Sequence, residues 1–153
     1  MRAVIVKEKG GPAIVVRDRP RPHLRANGYI LVRPVVVALN PADVLVLDYH
    51  IAEAGNLLGS DYAGVIEEVG PGVLRDLKKG DRVCGATRAG DPLEPENGTF
   101  AELICVKADI ALRMPEGMSF EDASTMGVTC VTTGRCLVSI LQVYAVILQM
   151  SCS

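Results

Sequence analysis

Gly59-Ser60-Asp61-Tyr62-Ala63-Gly64-Val65-Ile66-Glu67-Glu68-Val69-Gly70 is the stretch on which a reading of this chain turns. Its glycines permit close backbone approach at a sheet bend, Val65 to Val69 predicts a strand, and Pro71-Gly72 stops it. Downstream, Leu77-Lys78-Lys79-Gly80-Asp81 predicts a turn and Arg82 to Ala86 a short strand. Asp91 to Gly98, with two prolines, predicts a surface loop. Phe100 to Val106 and Ile110 to Met114 predict further strands. Upstream, Ala3 to Lys7 and Ala13 to Arg17 flank Gly10-Gly11-Pro12 as a hairpin, and Tyr29 to Leu39 is a long apolar run in which Pro34 predicts a bulge or an edge. His50 to Leu58, small residues with a Gly, predicts a mobile loop over a cleft. Many short strands between turn signals indicate a small β-barrel or sandwich, mainly β with some α.

Composition agrees. The chain has 153 residues, 49% of them hydrophobic, with 15 Gly, 9 Pro and no Trp, which suits one turn-rich domain with a real core. A net charge of −2 without a basic block gives no case for nucleic acid. Asp18 to Arg25, held extended by Pro20 and Pro22, carries Arg17, Arg19, Arg21 and Arg25 at or beside it. Interrupted by Asp18, they read as a solvated surface run, with phosphate as the other possibility. The five cysteines are scattered without CxxC spacing, and His23 and His50 lie near none of them. Reduced thiols and no zinc site or disulfide framework follow. The start breaks into charges after three apolar residues, so it predicts a strand and not a signal peptide, in keeping with a cytoplasmic protein.

Two segments carry the functional signal. In Leu39-Asn40-Pro41-Ala42-Asp43, Asn40 suits an N-cap, Pro41 the first helical position and Asp43 the positive helix start, giving a strand-to-helix elbow whose free N–H groups could meet an anion. Near Met118, Ser119 predicts a second cap, with Asp122 closing a capping box on a helix that begins near Phe120.

Taken together, these segments resemble the amino-terminal half of a zinc-free medium-chain dehydrogenase/reductase of the quinone-reductase and enoyl-reductase type. The elements that carry the resemblance are the opening strand with Gly10-Gly11-Pro12, Ala38 to Asp43, Asp61 to Gly70, Lys79-Gly80-Asp81-Arg82-Val83, Gly98-Thr99-Phe100-Ala101-Glu102 and Met114 to Ala123. Leu39 to Asp43 and Thr132-Thr133-Gly134 are most similar to the fungal trans-acting enoyl reductases of polyketide synthases. The resemblance implies a GroES-like β-barrel over residues 1–118. Residues 119–134 then begin an interdomain helix and substrate-channel segment. It further implies an NADPH-dependent reduction of the α,β double bond of an acyl chain tethered to the carrier of a synthase partner. By the same resemblance Ala42, Asp43, Val44 and Leu45 touch NADPH from the barrel side, although the lysine expected near Leu45 is absent. Gly127, Val128, Thr129, Cys130, Val131, Thr132, Thr133 and Gly134 line the channel, or else simply pack a helix. Where zinc-dependent relatives carry Gly-His-Glu, this chain has Gly59-Ser60-Asp61, so no metal is expected. Cys130, without a His partner in reach, reads as a packing thiol. No catalytic residue is assigned.

After Gly134 the resemblance stops. Residues 135–153 form an apolar tail without GxGxxG, so the main NADPH site and the Rossmann domain are expected to be missing from a truncated, inactive chain. Two further functions stay open: a non-catalytic binding module docking a synthase or reductase, and a tail-anchored protein. The uncharged run of about 18 residues from Cys136 sits at the short limit of a membrane span. A membrane is not the favoured partner.

Overall fold

The computed structural model describes residues 1–140 of the chain. β1 (Ala3–Val6) and β2 (Ala13–Val16) form the expected hairpin, with Ala3 opposite Val16. β3 (Tyr29–Val36), β4 (Asp61–Val69), β5 (Arg82–Ala86), β6 (Ile104–Lys107) and β7 (Leu112–Arg113) make a second, wholly antiparallel sheet in the order β6-β3-β4-β5-β7. Single antiparallel bridges join β1 to segments outside both sheets, Ala3 to Ala101 and Ile5 to Leu57. Among the described residues three α-helices join the sheets: α1 (Pro41–Asp48), α2 (Phe120–Ser124) and α3 (Met126–Gly134), which continues as a π-helical turn over Arg135–Ile140.

β4 is central, and it begins four residues earlier than its sequence suggests. Gly64 does not interrupt it: a Cβ there would overlap the Arg33 carbonyl of β3, so the glycine is what lets these strands pair so closely. Pro34 is accommodated by a register shift between Pro34 and Val36, the bulge its ring predicts. Successive side chains of β4 point to opposite faces. Tyr62 and Ile66 join Ile30, Val32, Val83 and Ile104 in the main core, whereas Ala63 packs with Cys84, Met114 and Ala123 beneath α2. Burial of both faces explains why these strands read as apolar runs and not as alternating patterns.

Several expectations need correction. Phe100 to Val106 is not one strand. The Thr99 and Phe100 N–H groups donate to the Leu58 carbonyl at 2.9 Å, and Ala101 N–H turns back to Thr99, so only Ile104–Lys107 pairs with β3. Ile110 to Met114 shrinks to β7 because Ala111 N–H donates to the Ala108 carbonyl and closes a 3₁₀ turn over Ala108–Ile110. His50 to Leu58 is a loop, and its Leu58 lines the groove beside the hairpin, but it is packed down on β1. Ala52 and Leu58 are buried against Val6, and Leu58 N–H and the Asn56 carbonyl bond to Val4 and Val6 of β1. The arginine run is not simply solvated. Arg19 pairs with Glu96 at 2.5 Å and donates to the Gly55 carbonyl; Arg25 pairs with Glu94 at 2.9 Å, donates to the Cys105 carbonyl and stacks over Tyr29. Both side chains are largely covered, clamping the connector to the 91–98 loop. The apolar-tail and membrane-anchor expectations for residues 141–153 lie outside the described residues. Among the described residues no helix is long and apolar enough to cross a membrane.

Because Gly64 meets backbone and not a movable side chain, Gly64→Ala is expected to destabilise the domain by about 3 kcal/mol, read as a lowered urea midpoint.

Candidate functional site

The elbow forms as its sequence dictates, but its polar groups face inward. Asn40 caps α1 from an extended conformation (φ −120°, ψ 151°), and Pro41 takes the first helical position. The Asn40 N–H donates to Asp43 Oδ2 at 2.8 Å, and the Ser60 hydroxyl donates to Asp43 Oδ1 at 2.7 Å. Asp43 N–H returns to the Asn40 carbonyl at 3.0 Å, and Pro41 has none. A buried carboxylate therefore already answers the helix start, and Ala42 alone among these first-turn residues keeps an N–H uncommitted among the described residues. The elbow does not offer the anion site that its capping residues suggested.

The second polar centre is Asp61, the first residue of β4, which is 1% exposed. The Asn40 side-chain amide donates to its Oδ2 at 3.0 Å, and the Val128 backbone N–H donates to its Oδ1 at 2.7 Å. Val128 lies in the first turn of α3, whose N–H groups have no intrahelical partner. One carboxylate thus joins the elbow, the central strand and α3. Burial pushes the Asp61 carboxyl above its usual range, against the lowering effect of the two hydrogen bonds; Asp43 adds a further push upward. Gly127 makes the junction possible, since a Cβ there would overlap both Asp61 and the Gly85 carbonyl.

Two separate clefts flank this junction. A groove of about 850 Å³ runs between the β1–β2 hairpin and the far end of β3, with Val35, Val37 and Leu39 among its walls. Of the four elbow residues singled out in the sequence, Asp43 and Val44 line it; Ala42 and Leu45 are exposed outside it. A cleft of about 460 Å³ lies between the end of β5 and α3. Gly127, Val128, Cys130, Val131 and Thr132 line it, whereas Thr129, Thr133 and Gly134 lie on exposed parts of α3 away from it.

The facing wall, which the sequence reading missed, is Gly85, Ala86, Thr87, Arg88, Ile110 and Leu112. Thr87 and Arg88 directly follow a strand that the sequence did predict, so a strand-end position was the available signal. The Thr87 hydroxyl is buried without a hydrogen-bond partner among the described residues. Ser60, assigned no role beforehand, holds Asp43. Cys130 is exposed on α3, and the buried Cys84 thiol on β5 is pushed upward by burial first and by Cys130 second. Among the described residues no group of three or more His, Cys, Asp or Glu side chains is placed to hold a metal ion.

This antiparallel domain, with its capped elbow after β3 and its helix docked on the sheet through Gly127, is of the kind found in medium-chain dehydrogenases/reductases. The model of the alcohol dehydrogenase GroES-like domain matches residues 26–116, and the chain belongs to that family. It is 45% identical over 131 residues to the trans-enoyl reductase resD of Aspergillus sclerotiorum, covering 86% of this chain and 36% of resD. With the trans-enoyl reductase TOXD of Cochliobolus carbonum it shares 48% over 131 residues, covering 86% of this chain and 43% of that protein. Among solved structures, mycobacterial Rv1454c complexed with NADPH superposes with a TM-score of 0.76 at 26% identity, over 92% of this chain and 42% of that one. The chain therefore spans about two-fifths of the length of the relatives it matches.

Because the folded-state value for Asp61 lies above the ordinary 3.8, the folded protein takes up a proton before the unfolded chain does. Stability from this group rises as pH falls through that raised value toward 3.8, and the ionised form opposes folding at neutral pH. The stability of wild type minus that of Asp61→Asn, from urea unfolding, is expected to shift in favour of wild type between pH 7 and pH 4.5.

Proposed function

We propose that this chain is the barrel-side domain of an NADPH-dependent, trans-acting enoyl reductase that works on an acyl chain carried by a polyketide synthase. The observation that carries the reading is the cleft between β5 and α3. Five residues of the Gly127–Gly134 segment meet there, in a chain 45% and 48% identical to two proteins named trans-enoyl reductases. In this reading Val128, Val131, Ile110 and Leu112 hold the apolar acyl chain and exclude water from it.

The cofactor-facing residues of this domain are Ala42, Asp43, Val44 and Leu45. The elbow fits the uncharged face of a nicotinamide nucleotide, since Ala42, Val44 and Leu45 are exposed and mostly apolar. It does not fit the phosphates, because Asp43 fills the helix start. When bound, NADPH supplies the hydride that reduces the double bond. The chain's own residues bind and orient the acceptor, which is where much of a barrier of this kind can be lowered.

An enoyl pantetheine thioester titrated into the isotopically labelled chain is expected to shift the backbone amide signals of Val128 to Thr132. Val131→Arg, at a position 57% exposed, is expected to weaken that binding by about tenfold (about 1.4 kcal/mol) while leaving unfolding within about 0.5 kcal/mol of wild type. Shifts confined to the hairpin groove, or none at millimolar thioester, would sink the reading.

A further inference from the structure

Asp61 does something that neither cleft accounts for by itself. It is a buried carboxylate with two donors from two different elements: the Asn40 amide at the head of α1 and the Val128 N–H in the first turn of α3. A buried carboxylate that loses a partner is left with an uncompensated charge, so its donors are held where they are. Rigid contacts bracket it. Gly127 rests on Asp61 and on the Gly85 carbonyl, and Asn40 is pinned by Asp43, which Ser60 holds in turn. Neither donor can leave without exposing the carboxylate to the other alone.

We propose that Asp61 is a positioning residue that couples the elbow to α3, so that a displacement of Asn40 is transmitted to Val128 and the reverse. Rested on the function proposed above, this coupling sets the placement of the cofactor-facing elbow relative to the wall of the acyl channel. The physical content is a shared acceptor with two oxygens, one for each element. The titratable groups that interact across the junction are Asp43 on α1, Cys84 on β5 and Cys130 on α3. Asp43 is the one that shares the carboxylate's immediate hydrogen-bond network, through Asn40.

Nuclear magnetic resonance of the 153-residue chain tests this without any ligand. On acidification the Val128 backbone amide and the Asn40 side-chain amide are expected to titrate with one common midpoint, above that of an ordinary aspartate. The variant Asn40→Ala removes a bond that favours the ionised form, so the midpoint at Val128 is expected to move to higher pH, although residue 40 lies on another element. Separate midpoints for the two amides, or a Val128 midpoint unchanged in Asn40→Ala, would overturn the coupling. The wild-type titration needs no variant to fold. A helix that merely packs on the sheet would give no titration at Val128. Loss of thioester binding with these midpoints intact would fault the proposed function and leave the coupling standing.

Discussion

A carboxylate removed from water is costly unless its oxygens are answered. Asp61 is placed at the start of the central strand with Asn40 on one oxygen and Val128 on the other. The elbow and α3 would otherwise be attached to the sheet by separate apolar contacts. Through this residue they share a polar anchor whose geometry is directional, as apolar packing is not. The neighbouring Ser60–Asp43–Asn40 bonds extend the same network into α1, so the polar interior of this small domain is nearly continuous from Ser60 to the start of α3.

The network depends on glycines that carry no chemistry. Gly64 lets β4 lie against β3, and Gly127 lets α3 reach both Asp61 and β5. A methyl group at either position would push an element away from the sheet, and the hydrogen bonds that require a few tenths of an ångström would lengthen with it. Backbone approach and side-chain chemistry are thus two sides of one constraint.

Two clefts lie on different parts of the domain. One, between the hairpin and the end of β3, takes in the inner face of the elbow; the other is formed by the end of β5 and α3. They are built from different strands, and the Asp61 carboxylate lies between them, bonded to Asn40 on one side and to Val128 on the other.

Much of this was legible in local sequence, because turns, caps and bulges are decided by a few adjacent residues. Pro34 predicted a bulge, Asn40-Pro41 a helix start and Ser119 a cap; the Ser119 hydroxyl accepts from Asp122 N–H at 3.0 Å. The family, too, was legible from the order of its segments. What the sequence could not state is where a polar group points. Asp43 was legible as a helix-start residue, but not that its carboxylate accepts from both Ser60 and Asn40. Arg19 and Arg25 looked solvated until Glu96 and Glu94, about seventy residues away, were brought against them. Asp61 carried no local sign of its partners, because Asn40 and Val128 are joined to it only by the folded sheet. Short-range conformational preference is written along the chain. Desolvation and long-range pairing exist only once the chain has closed on itself, and they decide which of its charged residues are free to act.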